Sequence, residues 1–395
     1  MAAALGVLVS CGSVKSGEEA IAASRESKVV VAYVTSWSEV MPDPQYMTHI
    51  NYAFGHVNES FNGVKIDNEE RLRQIVDLRK QKPELKVLLS IGGWGSGRFS
   101  EMAANDEYRR AFAADCDRVV KEFALDGIDI DWEYPTSSMA NISSSPDDTE
   151  NFTLLMQDIR AAIGNEKELT LATVASARYI DFKAILPSVD FVNIMAYDMA
   201  SAPKHHSALY PSGHSGDITS DGAVTAHLKA GVPPSKLVMG MPFYGRGGDG
   251  YPSFQDYNKV GNTDTQYTEK WDEVAQVPYL ADKNDTLVFG FENPRSLAIK
   301  CQYILDKDLL GGMYWDYSGD NEQGDLRRTV AENLLGKPHK AKVLVLTERG
   351  GQHGGFTDAG LRWLAAEGAK GNFSITEINN ARNITEAYLS QFSLV

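Results

Sequence analysis

Eight short apolar runs recur along the chain: VVVAYV at 29–34, HINYAF at 49–54, KVLLSI at 86–91, GIDID at 127–131, LTLATV at 169–174, VDFVNIM at 189–195, KLVMGM at 236–241 and LGGMYW at 310–315. Most are separated by stretches with apolar residues at helical spacing, such as EERLRQIVDLRKQ, DTENFTLLMQDIRAAIG and RSLAIKCQYIL. Strand and helix thus alternate about eight times, which implies a parallel sheet with right-handed crossovers. Eight such units in roughly 310 residues is the size of a closed (β/α)8 TIM barrel. An open doubly wound sheet is the alternative, but no G-x-G-x-x-G follows the first strand.

The fourth run breaks the apolar pattern. DGIDIDWEYP at 126–135 carries Asp126, Asp129, Asp131 and Glu133. Side chains alternate along a strand, so Asp129, Asp131 and Glu133 share one face while Ile128, Ile130 and Trp132 share the other. Strands of a βα repeat are buried on both faces, and stacked carboxylates there are costly through desolvation and repulsion. The charges therefore point to chemistry. Two close carboxyl groups cannot both ionise easily, so one holds a proton near neutral pH and can act as a general acid.

Active sites of such barrels lie at the C-terminal ends of the strands. The first run brings Tyr33 and Trp37 there, the third Ser90, Gly92, Gly93 and Trp94, and the fourth Asp131 and Glu133. The sixth adds Met195, Tyr197 and Asp198, the seventh Tyr244 and Arg246, and the eighth Trp315. Aromatic faces around one concave mouth suit sugar rings. Gly92 and Gly93 let the backbone pass close to a ligand or a neighbouring carboxylate.

With 38 Lys and Arg against 53 Asp and Glu, the net charge of −15 disfavours nucleic acids and anionic membrane surfaces as partners and leaves neutral polymers open. Three cysteines make no disulfide framework, and Cys116 and Cys301 sit in helix-like segments as expected buried thiols. The loop KHHSALYPSGH at 204–214 lacks a convergent carboxylate or cysteine pattern and reads as a mobile solvated loop rather than a metal site.

These motifs resemble glycoside hydrolase family 18, the chitinase family. DGIDIDWEYP satisfies its D-x-x-D-x-D-x-E signature, SIGGW at 90–94 its S-x-G-G, and MAYD at 195–198 its M-x-Y-D. GMPFYGR at 240–246 and GGMYW at 311–315 match its seventh and eighth strands. The resemblance covers residues 28–337 and implies that Glu133 is the general acid. It implies that Asp131 orients the substrate's N-acetyl group, that Asp129 shares a proton with Asp131, and that Tyr197 bonds the acetamido oxygen with Asp198 nearby. It also implies that Trp315 is the floor beneath the cleaved sugar and that Trp94 stacks on the next, with Tyr33, Ser90, Gly93, Met195, Tyr244 and Arg246 among the substrate-binding residues. The implied reaction is retaining and substrate-assisted, without metal or cofactor, on chitin, other N-acetylglucosamine oligosaccharides or the N-glycan core. An N-glycan endoglycosidase and a non-catalytic chitin-binding lectin are the alternatives. A monomer is expected. The family's insertion after the seventh strand is represented by a shortened segment at about 247–293, and one wall of the cleft is expected to be lower.

Residues 1–27, with the apolar run ending LVSC, resemble a bacterial lipoprotein signal whose Cys11 would carry a lipid anchor, although no Lys or Arg precedes the run. Export to the cell envelope or beyond is the expectation. Residues 341–395 begin afresh: a β-run, a Gly-rich turn, an amphipathic helix and a second β-run resemble the opening of a ThuA-like domain, a flavodoxin-like α/β fold. A fragment of that kind leaves strand edges unpaired and is expected to be poorly stable by itself.

Overall fold

All eight apolar runs form strands. The computed structural model describes residues 28–248, 251–260, 267–336, 341–347, 354–367 and 373–378, with residues 389 and 392. In chain order the strands are β1 (Val29–Thr35), β2 (His49–Val57), β3 (Val64–Ile66), β4 (Lys86–Gly92), β5 (Gly127–Asp131), β6 (Glu168–Val174), β7 (Phe191–Met195) and β8 (Leu237–Pro242). There follow β9 (Tyr244–Gly247), β10 (Gln255–Asp256), β11 (Thr268–Asp272), β12 (Val277–Ala281) and β13 (Leu287–Gly290), and then β14 (Gly311–Trp315). The parallel order β1-β14-β8-β7-β6-β5-β4-β2 closes through the β1–β2 pairing, so the expected barrel is formed. The short β3 pairs antiparallel with the end of β2.

Alternation along each strand divides two cores. Val30, Ala32 and Val34 of β1 join the large cluster between barrel and helices, whereas Val31 and Tyr33 point into the smaller cluster inside. On β5, Ile128 and Ile130 face the helices, and Trp132 follows them outward. Asp129 and Asp131 are thereby directed inward. Helices at Asp106–Glu122 and Asp148–Ile163 cover this side, the first capped by the Asn105 side chain on the amides of Glu107 and Tyr108. Cys116 and Cys301 are free thiols buried on their helices.

The inserted strands form a five-stranded antiparallel sheet in the order β10-β9-β13-β12-β11. Its presence corrects one expectation. The 204–214 loop is solvated only in part: His205, His206 and Ser207 are buried with Ala208 and Leu209, whereas Lys204, Tyr210, Pro211, Gly213 and His214 are exposed. Asp272 of β11 accepts from Ser212 at 2.8 Å and lies 3.2 Å from His205 Nε2. Lys300 donates to the Ser207 carbonyl at 2.5 Å and to Glu292, which also accepts from the Ser207 hydroxyl at 2.6 Å. Ser207, Ser212 and one nitrogen of His205, which read as surface groups, are here engaged by Glu292, Lys300 and Asp272.

The chain divides into two units at Gly336. In the second, β15 (Ala341–Leu346) and β16 (Phe373–Ile378) are parallel neighbours joined through a helix at Gly354–Glu367, a βαβ unit. Cys11 and the rest of the signal-like segment lie outside the described residues.

Lys300 and Glu292 are both fully buried, so removing one partner strands a charge. Lys300→Met is expected to lower unfolding free energy by about 3–5 kcal/mol, whereas Lys300→Met combined with Glu292→Leu recovers only part of it, because the buried Ser207 hydroxyl and carbonyl then lose their partners. Denaturant unfolding of the two variants measures both.

Candidate active site

The acidic run is used in layers. Asp126, at the foot of β5, accepts from the Val87 amide at 2.7 Å and pairs with Arg79, which pins the β4–β5 register. Asp129, fully buried in the barrel, accepts from Tyr33 at 2.9 Å, Ser90 at 2.8 Å, Thr170 at 2.6 Å and Asn193 at 3.3 Å. Those four donors occupy its acceptor positions, and no hydrogen bond joins it to Asp131. The expected proton sharing between Asp129 and Asp131 would have to compete with these four donors. Asp131 Oδ1 is buried without a hydrogen-bond partner, and Glu133 follows two residues later on the same side.

Backbone crowding explains the two glycines. A Cβ on Gly92 would stand 1.9 Å from the Asp131 carbonyl oxygen, and its φ of +131° suits no other residue. A Cβ on Gly93 would strike the Phe54 ring at 2.7 Å. The Gly93 amide donates to the Asp131 carbonyl at 2.8 Å and so ties the β4 end to the acidic strand.

Above the carboxylates lies a cavity of about 640 Å³. Trp315 lines it, with Tyr33 at 5.7 Å, Phe54 stacked at 5.6 Å and Trp37 at 6.4 Å between ring centroids. Trp37 and Trp94 stand 64% and 62% exposed at the rim. Tyr197 also lines the cavity; its hydroxyl has a weak partner in Met313 Sδ at 3.8 Å, and Gly240 leaves room for its ring. The opposite wall is ionic: Arg246 binds Asp198 with two bonds of 2.7 and 2.6 Å, and His206 Nδ1 lies 3.5 Å from Asp198.

Environment separates these carboxylates. Burial raises the Glu133 carboxyl to about 7, with the Asp198 charge adding to the shift and a Tyr134 hydrogen bond opposing it. Burial, followed by the charges of Glu133 and Asp129, also raises Asp131 well above the carboxylate range. Asp198 is held far below it, because the Arg246 and His206 contacts outweigh its burial. The pair Asp131 and Glu133 thus retains a proton near neutral pH while Asp198 stays ionised.

Of the residues expected at the site, Tyr33, Trp94, Asp131, Glu133, Met195, Tyr197, Asp198, Tyr244, Arg246 and Trp315 line the cavity. Asp129, Ser90 and Gly93 do not; they lie beneath or behind it, supporting its residues. Tyr244 and Arg246 belong to β9 of the insertion rather than to the barrel strand before it. Phe54, Tyr134, Arg178 and Phe254 also line the cavity. Phe54 ends an apolar run already read as a strand and Tyr134 follows Glu133 in the acidic run, so both positions were legible; Arg178 and Phe254 sit on loops with no periodic signal.

Residues 29–320 match the model of Glycosyl hydrolases family 18. The chain belongs to that family. Among family 18 relatives, mouse chitotriosidase-1 is 31% identical, the match covering 75% of this chain and 74% of that protein. Chitinase A1 of Niallia circulans is 29% identical over 78% of this chain, which spans 58% of that longer relative. A family 18 N-acetylglucosaminidase from Paenibacillus barengoltzii superposes with a TM-score of 0.72 at 32% identity, covering 78% of this chain and all of that one. The group IV chitinase of Ostrinia furnacalis gives 0.71 at 28% identity, covering 78% and 99% of the two chains.

In Asp129→Asn the new Nδ2 would face two donors whichever way the amide turned. A loss of about 1–3 kcal/mol is expected, read from the denaturant midpoint.

Proposed function

We propose that the family 18 unit is a chitinase-type hydrolase that cleaves β-1,4 bonds between N-acetylglucosamine units with assistance from the substrate's own acetamido group. The observation that carries this reading is the placement of the carboxylates. A double displacement by two protein carboxylates needs one on each face of the sugar, about 5–5.5 Å apart. Asp131 ends β5 and Glu133 follows two residues later beside the same cavity, and Asp198 is tied to Arg246. Among the described residues lining the cavity, no carboxylate is left to attack from the other face. The nucleophile is then supplied by the substrate.

In this mechanism Glu133, protonated at neutral pH, gives its proton to the glycosidic oxygen as the acetamido carbonyl oxygen attacks the anomeric carbon. Asp131 Oδ1, lacking a protein partner, accepts the acetamido N–H and stabilises the positive charge that develops. The Tyr197 hydroxyl donates to the acetamido oxygen and aims it. Trp315 supports the sugar from below. Water, deprotonated by Glu133, then attacks from the face the leaving group vacated, so the β configuration is retained.

Glu133→Gln keeps the shape of the side chain without its proton, and an expected loss of about 100- to 10,000-fold in kcat should leave oligosaccharide binding nearly unchanged. Rates on the N-acetylglucosamine pentamer and calorimetric binding separate the two; surviving hydrolysis would overturn the assignment. The active form carries the Glu133 proton, so kcat/KM is expected to fall as pH rises through about 7. Products released first as the β-anomer, with cello-oligosaccharides untouched, test the role of the acetamido group, and product lengths tell internal cleavage from removal of end units.

A further inference from the structure

A second constellation lies beside the cavity and takes no part in the reaction above. Ser96 Oγ is 2.8 Å from His56 Nδ1, and His56 Nε2 is 3.0 Å from Asp67 Oδ2. An ionised carboxylate only accepts hydrogen bonds, so the Asp67 contact places the ring proton on Nε2 and leaves the Nδ1 lone pair facing the serine hydroxyl. These are a nucleophile, a base and an orienting acid within hydrogen-bond reach of one another, with the serine on Nδ1 and the carboxylate on Nε2, the reverse of the nitrogen order in the usual serine-hydrolase triad.

Three elements bring them together. His56 lies near the end of β2, where it pairs with Lys65 of β3. Asp67 follows β3 and is fixed by its amide, which donates to the Phe54 carbonyl at 3.0 Å. Ser96 sits on the glycine-rich turn after β4, where its amide donates to the Gly93 carbonyl at 3.0 Å and Gly95 adopts a φ of +81°. The amide of Gly97, the residue after the serine, has no acceptor among the described hydrogen bonds, and the amide after the nucleophile is where serine hydrolases find an oxyanion donor. His56 and Asp67 side chains are 29% and 41% exposed, so a ligand can reach them. Phe54, whose ring centroid is 6.3 Å from that of His56, and Trp94 both line the sugar cavity.

We propose that Ser96, His56 and Asp67 form a second hydrolytic site that removes acyl esters from a glycan lying across Trp94; the glycan part of this assignment rests on Trp94 as a sugar platform. Ser96 Oγ attacks the ester carbonyl carbon while its proton passes to His56 Nδ1. The carbon–oxygen bond to the glycan breaks, and the leaving oxygen takes that proton, which leaves an acyl-serine. Water attacks the acyl carbon, gives a proton to Nδ1, and the carboxylic acid leaves as Ser96 is reprotonated. Ester and water become alcohol and acid. Asp67 is a positioning residue that holds the ring in the required tautomer.

The test uses the full chain with p-nitrophenyl acetate and a fluorophosphonate probe, followed by peptide mass spectrometry. Expected results are a label on the peptide containing Ser96, and ester turnover that falls about 100-fold or more in both Ser96→Ala and His56→Ala. Thermal unfolding and pentamer binding check that the variants are folded. Ester turnover that persists in Glu133→Gln separates this site from the glycosidase. Turnover unchanged in Ser96→Ala, or folded unaltered protein that takes no label at Ser96, would overturn the second site. Acetate released from O-acetylated N-acetylglucosamine oligomers supports a glycan ester as substrate; no release, with p-nitrophenyl acetate still cleaved, overturns that part.

Discussion

Asp129 is the knot of the barrel. One buried carboxylate accepts from Tyr33 on β1, Ser90 on β4, Thr170 on β6 and Asn193 on β7, so five of the eight barrel strands converge on a single side chain. Burial raises its carboxyl, and the four donors oppose that shift. A slip of one residue on β5 would replace the carboxylate with Ile128 or Ile130 and leave those donors facing hydrocarbon, so the interaction fixes the strand's register as well as its charge. Once that register is set, Asp131 has no choice of direction, and Glu133 follows just beyond the strand end. The positions of the reacting groups thus descend from a residue that does not line the cavity.

From there, environment assigns each carboxylate its chemistry. Asp129 has every acceptor position filled. Asp131 and Glu133 have burial and each other. Asp198 has a guanidinium in bidentate contact. Residues of one chemical type in one cleft thereby divide into a structural anchor, a proton-holding pair and a permanent anion, which is how one site can present an acid and a charge stabiliser at the same pH.

The barrel was legible because its strands are apolar runs at helix-sized intervals. The acidic face was legible because carboxylates on a strand bound for burial cost too much to persist unless the protein uses them. What could not be read was the use of each residue. Ser90 and Gly93 belong to the same motif as Trp94, yet only Trp94 reaches the cavity; the serine is consumed by Asp129 and the glycine makes room for Phe54. The 204–214 loop has the composition of a solvated surface, but its partners, Glu292 and Lys300, lie 85 and 93 residues from Ser207. Burial by such distant residues leaves no local pattern. Phe254 and Arg178 are aromatic and basic residues on loops, indistinguishable in sequence from their many exposed counterparts.

The inserted sheet is more than a shortened wall. Arg246 on β9 grips Asp198; His206 leans on Tyr244 at 5.3 Å and approaches Asp198; the neighbouring Ser207 is held by Glu292 and Lys300. This chain of contacts runs from the anionic side of the cleft, through the insertion, to a helix of the barrel at Pro294–Asp306. The links among Ser207, Glu292 and Lys300 are polar and buried, where an unmet partner is costly, whereas Arg246 and Asp198 are partly exposed. Asp198 beside the proton-holding pair is thereby held by Arg246 of the insertion, much as Asp131 is directed by the register that Asp129 sets.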